Sequence, residues 1–191
     1  MNSETENSSG YKLQGAFGDK GTQVNSIGYG HPHAEDIIKE AKEIIAESST
    51  GKLLIKVHNV HNIPIQVIKG TGDSGFNTDS RIIYLQAPGK TKRAEPKLVL
   101  QLIKALREAD QDIMGVKAPN PEEDLMAYAT VIHGKNLDSI IHICKVVKEL
   151  TNSSSFSILL EGIADLGYSK FYKAYINDAT KDELFDVYAE T

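Results

Sequence analysis

The stretch from Pro96 to Gly115, PKLVLQLIKALREADQDIMG, most constrains how this chain folds. Its apolar side chains recur at the three- and four-residue spacing of one helical face. They are Leu98, Leu102, Ala105, Leu106, Ala109 and Ile113. Pro96 suits the first helical position, where its missing N–H costs nothing, and Gly115 suits the end. The sequence therefore predicts a central helix with one buried face.

The opposite face of this predicted helix is polar. It carries Gln101, Lys104, Arg107, Glu108 and Asp112. Lys104 and Glu108 lie four residues apart, so we expect them to form an ion pair contributing about 0.2–0.5 kcal/mol. On pattern alone, such a charged face is typical of a helix surface in contact with water.

Within this helix, the segment LQLIKALR, residues 100–107, resembles the H-E-L-x-H-A-x-R segment of zincin-type metallopeptidases. It is most similar to a group of bacterial metallopeptidases and effector-type zinc peptidases. In their motif two histidines at i and i+4 bind Zn²⁺, and the glutamate beside the first acts as general base on the bound water. The resemblance spans residues 60–150 and implies a minimal zincin-like scaffold, with a short hairpin before the helix.

The chain departs from that motif at each position that carries chemistry. Leu100 stands at the first histidine, Gln101 at the glutamate and Lys104 at the second histidine. Leucine cannot ligate a metal, an amide does not accept a proton at neutral pH, and an ammonium repels a dication. The third ligand of such folds comes from a downstream helix, and the best-matching position here is Gly134. The resemblance thus implies a catalytically inactive, metallopeptidase-like protein without metal or cofactor, which acts by binding another protein.

Two alternative functions stay open. One is a hydrolase with a relocated site, formed either by His31, His33, His58 and His61 as metal ligands or by Lys104, Glu108 and Gln101. In the second version a lysine desolvated in a cleft would have a lowered pKa and act as base.

The other alternative is a structural or assembly subunit that uses the aromatic C-terminal third as its contact surface. Those aromatic residues are Phe156, Tyr168, Phe171, Tyr172, Tyr175, Phe185 and Tyr188. Such density is more often typical of helix packing than of a binding surface.

Composition excludes several classes of protein. The formal net charge of −5 argues against a nucleic-acid binder, which needs a basic face, and the basic run 90–93 is short. Cys144 is the single cysteine, so no intrachain disulfide forms, and its place on an apolar stripe predicts a buried thiol. No apolar run approaches the ~20 residues of a membrane span. We expect a cytoplasmic protein, or alternatively a secreted effector without a cleavable signal.

The domain organisation predicted is a mobile tail, residues 1–30, followed by one α+β domain, residues 31–191. The domain comprises a zincin-like core, 31–150, and C-terminal helices, 151–191. Its fold class is a small antiparallel β-hairpin or sheet packed against a mainly helical bundle.

The alternating segments Ile63–Lys69 and Arg81–Gln86 are predicted to be the paired strands. Residues 52–62 fit either a helix or a strand, and we favour a helix. The run Gly70–Gly75 matches G-x-G-x-x-G, but a strand and not a helix follows it. We therefore assign its glycines to a hairpin loop with positive φ and not to a nucleotide site.

The remaining segments predict further helices. The first follows His33 and is broken by the residues 48–51. Asn120 and Pro121 are predicted to start a helix that ends at Gly134, and Asn136 to start the next. Short helices are expected at 156–167 and 169–176, and Thr180 with Glu183 forms a capping box for the last one.

Overall fold

The computed structural model describes residues 30–70, 72 and 74–190, and there a helical bundle packs against a three-stranded sheet. The predicted α+β class is confirmed, whereas the predicted tail, apart from Gly30, lies outside the described residues. The helices are α1 (Ala34–Ile45), α2 (Ser49–Val60), α3 (Pro96–Ile113), α4 (Leu125–Glu149), α5 (Phe156–Asp165), α6 (Ser169–Ile176) and α7 (Lys181–Ala189). The strands are β1 (Ile65–Lys69), β2 (Gly75–Asn77) and β3 (Ile82–Ala87).

Helix α3 is the predicted central helix. It begins with Pro96 in its first turn, and Gly115 beyond its end has a φ of +79°. Its buried residues include Val99, Leu100 and Ile103 in addition to the predicted stripe as far as Ala109, so more than one face is buried. Ile113, the last residue of the stripe, is partly buried. The helix packs against α1, α2, α4, α5, β2 and β3 and therefore lies at the centre of the core.

The sheet has the order β1-β3-β2, with β3 parallel to β1 and antiparallel to β2. The prediction of antiparallel pairing between Ile63–Lys69 and Arg81–Gln86 is wrong. It overlooked β2, which lies between them in sequence and reverses the chain once more. The alternation predicted for β3 is confirmed, since Ile83, Leu85 and Ala87 are buried.

The loop between β1 and β2 contains the G-x-G-x-x-G match, and β2 follows it, as predicted. Gly70 and Gly72 do not have positive φ, so that part of the prediction is wrong. A Cβ at either position would approach the side chain of Gln86, to 2.5 Å at Gly70 and 2.8 Å at Gly72. The Gly72 N–H also donates to Gln86 Oε1 at 2.7 Å. Because these two glycines have no side chain, the Gln86 side chain can pack against the loop backbone.

Residues 52–60 are helical, as we favoured. The predicted break after α1 is present, but it covers residues 46–48 and not residues 48–51. Ser48 is the N-cap of α2, and its Oγ accepts a hydrogen bond from the Gly51 N–H at 2.9 Å. Residues 49–51 form the first turn of the helix. The serine and threonine side chains that suggested a loop serve as helix-start residues here.

Helix α4 is continuous over 25 residues, so the predicted stop at Gly134 and new start at Asn136 are wrong. The helix also starts later than predicted, because Asp124, not Asn120, caps it by accepting from the Ala127 N–H at 2.8 Å. A glycine costs a helix interior only about 0.5–1 kcal/mol, which flanking turns can offset. Among the described helices, none is long and apolar enough to cross a membrane.

The C-terminal helices agree closely with the sequence prediction. Helix α6 has the predicted bounds, and α5 ends at Asp165, two residues before the predicted end. Thr180 and Glu183 form the predicted capping box, with each side chain accepting from the other's backbone N–H. Capping thus fixes the start of α7, which is otherwise mostly exposed.

A carboxylate from α4 caps the start of α2. Glu149 Oε2 accepts from the Thr50 N–H and from the hydroxyls of Ser48 and Ser49, at 2.8–2.9 Å. Although burial alone would raise the pKa of Glu149, these hydrogen bonds and those of Thr50 Oγ1 lower it to about 2. The negative charge also lies at the positive end of the α2 dipole. This contact joins two helices about 100 residues apart in the chain.

We expect Glu149→Ala to lower the free energy of unfolding by about 1 kcal/mol at pH 7, as loss of a helix cap does. Because folding lowers the pKa of Glu149 from its ordinary 4.5, the contribution is full above pH 4.5 and is lost as pH falls toward 2. Urea unfolding of wild type and variant at several pH values measures this difference. Glu161→Ala, at an exposed glutamate of α5, is the control and should change stability little. Equal stability of the Glu149 variant and wild type at pH 7 would contradict the capping role.

Candidate functional site

The position of the first motif histidine, Leu100, is fully buried in the core. It faces Gly162 of α5, where an added Cβ would lie 3.0 Å from Leu100 Cδ1 and 2.9 Å from the carbonyl carbon of Pro96. The missing side chain of Gly162 thus lets α5 approach α3 closely. Leu100 serves the packing of two helices.

The position of the motif glutamate, Gln101, holds the loop before β2. Its Oε1 accepts a hydrogen bond from Ser74 Oγ at 3.1 Å. Ser74 is buried, and its Oγ in turn accepts from the Gln86 N–H at 2.9 Å. Gln101 is therefore the first link of a polar chain that connects α3 to the start of β2 and to β3.

The position of the second motif histidine, Lys104, forms the predicted ion pair with Glu108, with Nζ 3.0 Å from Oε1. The pair is largely covered, with 28% of the Lys104 side chain and 18% of the Glu108 side chain exposed. Burial alone would lower the pKa of Lys104, but the Glu108 carboxylate more than offsets this, and the pKa is raised. Lys104 therefore stays protonated at neutral pH. The prediction that its pKa is lowered, as a base role requires, is wrong.

Glu108 also connects α3 to the sheet. Its Oε2 accepts from the Phe76 N–H at 3.1 Å, so this amide of the edge strand β2 is directed at α3. An edge strand otherwise presents such donors to another strand. Gln101, Lys104 and Glu108 thus form one polar strip, which we call the α3 strip, and its bonds hold β2 in place.

The proposed third-ligand position, Gly134, lies in the exposed first half of α4. No atom lies within 4 Å of the place where its Cβ would be. A side chain added there would extend into open space.

A second polar cluster, which the sequence analysis missed, joins α3 to α4. Arg107 donates from Nε to Asp138 Oδ2 at 2.6 Å and also pairs with Asp110. Gln111 Nε2 donates to the same Asp138 oxygen at 2.7 Å and to the Lys135 carbonyl at 3.1 Å. Burial would raise the pKa of Asp138, but the hydrogen bonds from Arg107 and Gln111 lower it. Arg107 was predicted to face solvent, because nothing in its local spacing indicates a partner 31 residues away.

Two of the four histidines of the alternative metal site, His31 and His58, have other partners, and His61 is exposed. His31 is buried, its Nε2–H donates to the Pro88 carbonyl at 2.9 Å, and its Nδ1 accepts from the His33 N–H at 3.2 Å. Both ring nitrogens of His31 are therefore committed. His58 is also buried, and its Nε2 accepts from Lys42 Nζ at 2.7 Å. Within residues 30–70, 72 and 74–190, no three His, Cys, Asp or Glu side chains are grouped so that they could hold a metal ion.

An open groove of about 540 Å³ lies beside the Lys42–His58 pair. Its lining is Glu35, Ile38, Lys39, Lys42, Glu43, Ala46 and Ile55, so Lys104 does not take part in it. Burial lowers the pKa of Lys42, and burial together with the Lys42 charge lowers the pKa of His58. We therefore interpret the pair as a contact between α1 and α2, in which a neutral His58 accepts a hydrogen bond from the Lys42 ammonium.

Other candidate side chains serve packing. Cys144 is fully buried and its pKa is raised to about 12 by burial, so the thiol is not a nucleophile at neutral pH. His142 contacts Asp138, with Nδ1 2.8 Å from the Asp138 carbonyl oxygen. Among the C-terminal aromatics, Phe171 and Tyr172 are buried, and Phe185 is exposed. The rest are partly buried against the core, which agrees with the packing interpretation.

Comparisons with models of protein families, with curated proteins and with solved structures return no match. The resemblance to zincin-type metallopeptidases therefore stays a prediction. Arguments about function rest on the contacts of the described residues.

The close approach at Gly162 gives a prediction with a matched control. Gly162→Ala should lower the free energy of unfolding by about 1–3 kcal/mol, because the new methyl group overlaps the α3 backbone. Gly134→Ala, also a glycine in a helix interior but in open space, should raise it by about 0.5–1 kcal/mol. Urea unfolding of both variants measures these changes. A Gly162→Ala protein as stable as wild type would contradict the packing assigned to Leu100.

Proposed function

We propose that this chain is a protein-binding module on a metallopeptidase-like scaffold, without peptidase catalysis. The observation that carries this proposal is the use of the motif positions. Leu100 packs against α5, Gln101 holds Ser74, and Lys104 pairs with Glu108. Each of these three residues, which stand where two ligands and the base would be needed, is engaged in holding the fold.

The relocated-hydrolase alternative finds less support in the same contacts. A catalytic lysine base needs a lowered pKa, whereas the pKa of Lys104 is raised. A metal site needs free ring nitrogens, whereas those of His31 are both hydrogen-bonded.

The single, buried Cys144 suits a reducing compartment, and we propose the cytoplasm.

The binding role is supported by an exposed apolar surface on α4, outside the α3 strip. The first half of α4, residues 125–136, which we call the α4 arm, carries Leu125 and Met126 with 66% and 77% of their area exposed. Buried residues on this helix begin only at Ser139. Exposed apolar surface of this kind typically marks a protein contact.

A peptidase assay tests the non-catalytic part of the proposal. We expect the purified full-length protein, supplied with Zn²⁺ and unfolded protein substrates, to hydrolyse them no faster than buffer. The variant Gln101→Ala is the matched control for a contaminating peptidase. Turnover by the wild type that disappears in Gln101→Ala would show that the α3 strip is catalytic and would refute the proposal.

A further inference from the structure

We propose that the α4 arm binds a second copy of this chain, with the two α4 helices side by side and antiparallel. This inference rests on the protein-binding role proposed above and names the partner. It concerns a different face from the α3 strip.

The arm is apolar, and one side of it is exposed. Residues 125–134, LMAYATVIHG, contain no Asp, Glu, Lys or Arg, although a quarter of the whole chain is charged. Val116, whose carbonyl accepts from Lys135 Nζ at 3.4 Å, is 39% exposed and extends the apolar surface. A helix segment that is apolar on most sides is normally buried, so a partner is expected.

The exposed side of the arm has a protrusion at one end and a recess at the other. Met126, Thr130 and Gly134 follow each other at four-residue spacing and share this side of the helix. Met126 projects into solvent, while no atom lies near the missing Cβ of Gly134. Between them, the Thr130 hydroxyl donates to the Met126 carbonyl at 2.8 Å, so its donor is already satisfied.

This arrangement is complementary to itself under a two-fold axis. An axis beside Thr130 places Met126 of each copy over Gly134 of the other copy, because each lies four residues, about 6 Å, from Thr130. In a two-fold interface the same contact is made twice. A flexible methionine over a glycine brings the two backbones close and fills the recess.

The charges at the ends of the arm favour the same arrangement. Glu122, Glu123 and Asp124 precede it, and Lys135 follows Gly134. Antiparallel copies place the acidic end of one arm near Lys135 of the other, whereas parallel copies would place the acidic ends together. Opposite charges at the rim favour the antiparallel register.

The size of the surface sets the expected affinity. One side of a helix segment about 18 Å long, together with Val116, offers on the order of 500 Å² per copy. Two copies would bury about 1,000 Å² in total, the lower limit for a specific interface. We therefore expect a dimer that dissociates in the micromolar range. A lipid surface is a poorer occupant, since residues 125–134 contain no lysine or arginine to bind acidic headgroups.

Sedimentation velocity of the full-length protein over the micromolar range tests this proposal. We expect a monomer–dimer equilibrium in wild type, and a dissociation constant raised about 30-fold or more in Met126→Asp, as for loss of a hot-spot residue. Gly134→Leu should weaken the dimer comparably by filling the recess. Because Gly134 lies in open space, this variant tests the recess without disturbing the monomer. Leu53→Asp is the matched control, since Leu53 on α2 is 65% exposed and should leave dimerisation unchanged.

Two kinds of result would overturn the inference. One is the absence of the proposed interface, seen either as a wild type that stays monomeric throughout the range or as a dimer that neither Met126→Asp nor Gly134→Leu weakens. The other is a monomeric wild type that sediments with phosphatidylcholine vesicles and loses this in Met126→Asp, which would assign the arm to lipid. Neither result changes the expected outcome of the peptidase assay, so failure of the dimer and failure of the non-catalytic role are distinguishable.

Discussion

Burial of α3 on more than one face is the constraint on which the rest of the structure depends. The helix is surrounded by α1, α2, α4, α5 and the sheet, and two groups of its polar side chains, the α3 strip and the cluster with Asp138, bond to these neighbours. On the α3 strip, Gln101 and Glu108 accept from Ser74 and from the Phe76 amide. A buried donor left without a partner costs about 1–3 kcal/mol, so these bonds specify where β2 lies.

This constraint connects the fold to the proposed function. A metallopeptidase motif needs its ligands and its base free to face a metal and a substrate. Here Leu100 is enclosed by the core, and Lys104 is held by Glu108. By contrast, Leu125 and Met126 of the α4 arm are 66% and 77% exposed. We infer that the central helix supports the scaffold, and that recognition takes place at the outer helix.

Local patterns predicted the parts of the structure that depend on local physics. The stripe on α3, the alternation of β3 and the capping box at Thr180 follow from the spacing of nearby residues, and each is confirmed. Contacts between distant segments were not predictable in this way. The three-residue β2 gave no periodic signal, so the strand direction was wrong, and the Glu149 cap on α2 depends on residues about 100 positions apart. The predicted helix stop at Gly134 rests on the cost of glycine in a helix, but turns on both sides sustain α4 through it.

Of the positions singled out for chemistry, the sequence identified which residues stand at the motif but not what they contact. The partners of Gln101 and Glu108 come from the loop before β2 and from β2 itself, which the sequence analysis did not recognise as a strand.

We infer that the α3 positions hold the fold and bind no metal. Metal analysis of the purified, untagged protein by mass spectrometry tests it most directly. We expect the protein to contain no stoichiometric transition metal and to keep the same melting temperature in zinc or chelator. A stoichiometric metal, with a melting temperature that chelator lowers, would contradict it.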